Sequence, residues 1–127
     1  MNAPTAPELL AEVRTALADQ GAGGRIADVL TGHNLVYVEV ETAAGTRAAV
    51  VYRPEGDLPD ATGSEALAVA ADAAKPSADL PLRAVGIGAL NALSRPFVDW
   101  RVGDPMTPSP ESVDVVAMVG MFGPVLR

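Results

Sequence analysis

The stretch NLVYVEVET alternates strictly: Val36, Val38 and Val40 fall on one side, and Leu35, Tyr37, Glu39 and Glu41 on the other. Alternation with period two is the mark of a strand with one face in a core and one toward water. The residues AAG at 43–45 then turn the chain into TRAAVVYR, a second strand. Residues from about Leu35 to Arg53 are therefore predicted to form an antiparallel hairpin whose valine face is the core face.

Three helices are punctuated in the sequence. In TAPELLAEVRTALADQGAGG, Thr5 and Glu8 have capping-box spacing, Gly21, Gly23 and Gly24 stop the helix, and Leu9, Leu10, Val13 and Leu17 form an apolar stripe. A loop rich in Pro, Gly and Asp runs from Pro54 to Ser64. Thr62 and Glu65 then repeat the capping-box spacing before ALAVAADAAK, which Pro76 ends. The third helix, LPLRAVGIGALNALS, has Asp79 as its N-cap and stops at Arg95 before Pro96. It is apolar nearly all round and is predicted to be buried on more than one side. Gly86 and Gly88 each cost on the order of 1 kcal/mol of helix propensity, which makes sense where a helix packs backbone-close against a neighbour.

Residues 96–112 hold Pro96, Pro105, Pro108 and Pro110 and read as a linker. The run VDVVAMV at 113–119 reads as a strand covered on both faces, followed by a turn at Gly120 to Pro124. A phosphate-cradling loop would stand there if a helix followed, but the spacing is neither Gly-x-Gly-x-x-Gly nor a Walker motif.

Composition excludes several classes of function. The 127 residues make one domain, and with 49% hydrophobic but 4% aromatic residues the core must be built from Ala, Val and Leu. Nine basic against sixteen acidic side chains give a net charge of −7, with no basic run to neutralise phosphates, so nucleic acid is a poor partner. With no cysteine there is no disulfide, thiolate nucleophile or cysteine zinc site. No signal-peptide pattern opens the chain and no run approaches the roughly 20 apolar residues of a membrane span, so no membrane and a cytoplasmic location are expected.

Few residues offer chemistry. Asn91, between Leu90 and Leu93, reads as a buried amide that ties its helix to a neighbour or lines a ligand cleft. His33 is the only histidine and reads as a loop residue at a strand entrance. Glu39 and Glu41 share a strand face and could offer oxygens to a hard cation; Arg47 and Arg53 on the next strand are expected to neutralise them as an exposed ion-paired face. Asp99, Arg101 and Asp104 are read the same way. Phe97 and Trp100 are expected to pin the linker or meet a partner.

Gly86, Gly88, Ala89, Asn91 and Ala92, then Asp104 and Pro105, then Val119, Gly120, Phe122, Gly123 and Pro124 together resemble the putative heavy-metal chelation family. The resemblance implies an α/β (α+β) fold in which an enolase-N-terminal-like domain precedes a Rossmann-like one. It would divide the chain into that first domain at 1–95, a Pro-rich linker at 96–112, and the first strand and turn of a truncated Rossmann-like domain at 113–127. The expected function is that of a non-catalytic N-terminal domain or fragment forming one wall of an interdomain metal or ligand cleft. Asn91, Gly120 and Gly123 are its ligand-binding positions, and a metal ion, whose ligands are not identified, is the candidate cofactor. The expected partner is a Rossmann-like domain in cis or trans, or a second copy meeting strand 113–119 and an uncovered Gly86 helix face. The alternative is a self-sufficient small binding or protein-interaction domain whose last strand joins its own sheet. A stand-alone metal enzyme would need ligands from His33, Glu39, Glu41 or Asp104.

Overall fold

The computed structural model describes residues 3–97. In chain order it contains α1 (Ala6–Asp19), β1 (Arg25–Thr31), β2 (Leu35–Thr42), β3 (Gly45–Tyr52), α2 (Ala66–Ala73), α3 (Leu80–Ser94) and a short 3-10 turn at Arg95–Phe97. The strands form an antiparallel meander in the order β1-β2-β3. Helix α3 lies across β2 and β3, α2 packs along α3, and α1 packs on α2 and α3. The fold is thus a mixed α/β arrangement with helices on one side of the sheet. The strand expected at 113–119 and the turn after it lie outside the described residues.

Val36, Val38 and Val40 are completely buried, as their alternation requires. Register carries the alternation into both neighbours, since Val36 faces Val51 and Val38 faces Ala49 on β3. The hairpin turns at Ala43 and Ala44, both at negative φ, and Gly45 at φ 117° takes the left-handed conformation that closes it.

Strand β1 was not expected. Its core side is Ile26, Val29 and Thr31, facing Val40, Val38 and Val36, with an irregularity between Ile26 and Asp28. That bulge stretches the spacing from two to three and hides the period a strand normally shows. The outer edge of β1 meets the chain before α2: Ile26 N donates to Ser64 O at 2.9 Å, and Gly63 N to Ile26 O at 2.8 Å.

This pairing also corrects the second capping box. The N-cap of α2 is Glu65, with no side-chain cap, and the first free N–H of the helix, that of Ala66, donates to Gly24 O at 2.9 Å. The other caps are as expected. Thr5 and Glu8 exchange both capping-box hydrogen bonds at 3.4 Å, and Asp79 Oδ1 accepts from Leu82 N at 3.0 Å. Helix α1 ends in a Schellman motif, with Gly21 at φ 77° and Ala22 N donating to Leu17 O. Its stripe is only half used, however: Leu17 is buried and Leu10 touches the core, whereas Leu9 and Val13 are exposed.

Helix α3 is clamped from two sides. Residues two apart on a helix point about 200° apart, so Gly86 and Gly88 face different neighbours. A Cβ on Gly86 would overlap Ala73 Cβ of α2, and one on Gly88 would sit 2.5 Å from Val38 Cγ2 of β2. The Gly86 face is therefore covered by α2, not left open as expected. Arg83 completes the helix pair: its guanidinium donates to the carbonyls of Ala73 at 3.3 Å, Lys75 at 3.0 Å and Ala78 at 3.3 Å, tying off the C-terminal end of α2. Arg14 Nε similarly ties α1 to Leu67 O at 2.8 Å.

Candidate functional site

The core holds only aliphatic side chains, and among the described residues no polar or charged side chain is buried. Any binding chemistry in these residues is therefore at the surface. Among them, no group of three or more His, Asp or Glu stands close enough to hold a metal ion. No described helix is long and apolar enough to cross a membrane.

Asn91 is exposed, which corrects the expectation of a buried amide. The buried positions of α3 wrap around most of the helix and leave one solvent line: Leu80, Ile87, Asn91 and Ser94, spaced 7, 4 and 3 residues apart. On that line Asn91 O accepts from Ser94 Oγ at 2.9 Å, and the amide faces water. Gly120 and Gly123 lie outside the described residues, as do Asp99, Trp100, Arg101 and Asp104. His33 is exposed in the turn between β1 and β2, a loop residue as expected, though before the second strand rather than the first.

The sheet surface turned away from α3 carries most of the polar grouping. Tyr37 OH donates to Glu39 Oε2 at 3.1 Å, and Thr46 Oγ1 donates to Glu41 Oε1 at 3.0 Å. The arginines expected to neutralise these carboxylates do not. Register sets Arg47 opposite Val40, on the valine side, and Arg53 donates to Gly32 O at 3.1 Å. The expected ion-paired face is absent because those arginines fall out of phase with Glu39 and Glu41. Instead Asp28 of β1 stands directly opposite Glu39. The phenol of Tyr37 is raised above its ordinary value of 10.0, chiefly by the hydrogen bond to Glu39, with desolvation and the charges of Glu39 and Asp28 adding to it.

On this same face Leu30, Leu35, Val50 and Tyr52 are each about half exposed, at 46–53%. Sequence reading missed their convergence because Leu30 belongs to the hidden strand β1. Phe97, half exposed, closes a shallow apolar groove with Leu93, Pro96 and the Thr42–Ala44 turn.

Residues 14–94, more than half of the chain's length, match the model of the domain family described as putative heavy-metal chelation. The fold is similar to the crystal structure of a protein of unknown function of the DUF364 family from Pyrococcus horikoshii, with TM-score 0.57 and 19% sequence identity. That match covers 84% of this chain and 44% of the other, so this chain spans less than half of that protein's length. No curated protein matches the sequence significantly. A mixed fold of three helices on a three-stranded meander among the described residues, matched from within α1 to the end of α3, makes this chain a member of the putative heavy-metal chelation family.

Proposed function

We propose that this chain is a non-catalytic N-terminal domain of a two-domain metal-chelation protein and forms one wall of an interdomain metal or ligand cleft. The observation that carries the reading is the pair of coverages, 84% of this chain against 44% of its structural neighbour. In this reading residues 1–95 are an enolase-N-terminal-like domain, 96–112 a linker, and 113–127 the opening of a Rossmann-like domain supplied in cis or in trans. Asn91, on the solvent line of α3, lies on the wall that this chain contributes, and Gly120 and Gly123 belong to the turn that would meet it. That no polar side chain is buried among the described residues fits a wall rather than a complete site.

The test compares metal retention after dialysis for this chain alone and for the chain with a Rossmann-like half supplied. Stoichiometric metal is expected only in the second case, and Asn91→Ala should weaken it there. Metal held equally by the chain alone would defeat the reading.

The second reading is a small protein-interaction domain, favoured by the half-exposed apolar cluster on the outer sheet face. Deleting residues 112–127 discriminates between them. An unfolded product would mean that the last strand completes this domain's own sheet, and an unchanged melt would remove that version of the alternative.

A further inference from the structure

Helix α3 covers one face of the sheet, and nothing among the described residues covers the other. Register lines up Leu30, Tyr37 and Val50 in one row across the three strands, with Leu35 beside Tyr52 in the next. On the other side of that row stand Asp28, Glu39 and Ala48. Like charges directly opposite each other on antiparallel strands are destabilising. The ion pair described in this chain, Lys75 with Asp72 at 3.1 Å, is elsewhere. Arg25 stands opposite Glu41, but its guanidinium donates to Gly63 O at 2.8 Å. Among the described residues two costs thus lie side by side on one face: half-exposed apolar side chains and a carboxylate pair without a cation.

One kind of partner relieves both. We propose that the outer face of the sheet docks a segment of another protein that sets apolar side chains over the Leu30–Tyr37–Val50 row and an arginine or lysine over Asp28 and Glu39. The size of the face supports a segment: three strands of seven or eight residues span roughly 14 by 25 Å, the footprint of one helix or a strand pair. Charge argues against a second copy of this chain. The apolar rows occupy one end of the face, so two copies stacked face to face set carboxylates on carboxylates, bury them against apolar side chains, or shift until half the face is uncovered. The surface lies on the side of the sheet away from α3 and Asn91, so the proposal does not depend on the metal-cleft reading.

The test is an amide NMR titration of the full 127-residue chain with three synthetic amphipathic peptides: a leucine stripe flanked by arginine, the same stripe flanked by glutamate, and a serine stripe flanked by arginine. Only the leucine–arginine peptide is expected to bind, shifting Asp28, Leu30, Tyr37, Glu39 and Val50. Val50→Glu, and separately Asp28→Asn with Glu39→Gln, should each weaken it by about tenfold or more, with circular dichroism melts confirming that the variants fold. Three outcomes would overturn the proposal: shifts spread over the acidic residues of α1 and the 54–65 loop, equal binding of the glutamate peptide, or equal binding by the variants. Concentration-dependent dimerisation abolished by Val50→Glu would also overturn it, in favour of a second copy on this face.

Discussion

Gly88 of α3 lies so close to Val38 of β2 that a single added carbon would stand 2.5 Å from Val38 Cγ2. Val38 is completely buried, so it can withdraw only by displacing other core side chains. Gly88→Ala gains up to about 1 kcal/mol of helix propensity but forces helix and sheet apart, and overpacking of this kind costs about 1–3 kcal/mol. The expected net is a lower denaturant midpoint, partly restored when Val38→Ala is added. A raised midpoint in Gly88→Ala alone would mean that the contact is loose.

Arg83 joins two helices through three carbonyls, and no acidic partner is involved. Hydrogen bonds from a charged donor contribute about 1.5–3 kcal/mol when they replace nothing better, and the partial solvation of Arg83 places the expected loss in Arg83→Ala near the lower end. Arg83→Lys should recover little, because an ammonium cannot span carbonyls on both sides of the turn. Equal melts for the Lys variant and the parent would contradict this account.

Alkaline pH should weaken the domain through Tyr37. Its phenol is raised above 10.0 in the folded chain by Glu39 and Asp28, so folding favours the neutral form. The corresponding stability is fully present below the unfolded value and is lost as pH rises through the folded one. Tyr37→Phe should therefore flatten the alkaline limb of a stability–pH profile measured by urea unfolding. The same limb in both proteins would show that Tyr37 carries none of it.

Asp28 opposite Glu39 should cost the isolated chain stability. Asp28→Asn is expected to raise the midpoint by a few tenths of a kcal/mol, about the size of a cross-strand charge pair. Raising the salt concentration should shrink the difference, because both groups reach solvent. A lower midpoint in Asp28→Asn would mean that the carboxylate has a favourable local role.

Asn91 offers the sharpest separation of structure from function. Exposed on α3, Asn91→Ala should leave the melt within about 0.5 kcal/mol or raise it slightly, since Ala is the better helix former. Any defect in ligand binding by this variant would then be chemical and not structural. Marked unfolding would show that the amide is structural after all.

The sequence alone determined the elements whose signals are local. The valine alternation of β2, the turn into β3, the Thr5 box and the Asp79 cap are each decided within a few residues, and each stands where its pattern placed it. The glycines of α3 announced a close approach in the same way. Only the tertiary structure decided what depends on phase between distant segments. The bulge after Ile26 concealed β1, and through it the whole outer sheet face with Leu30 and Asp28. Strand register sent Arg47 to the valine side and left Glu39 with Asp28 opposite. The angle at which α3 settles between α2 and the sheet turned Gly86 inward and Asn91 out. A helix apolar on nearly every side does not record which thin line will face water, because that choice belongs to the surfaces packed against it.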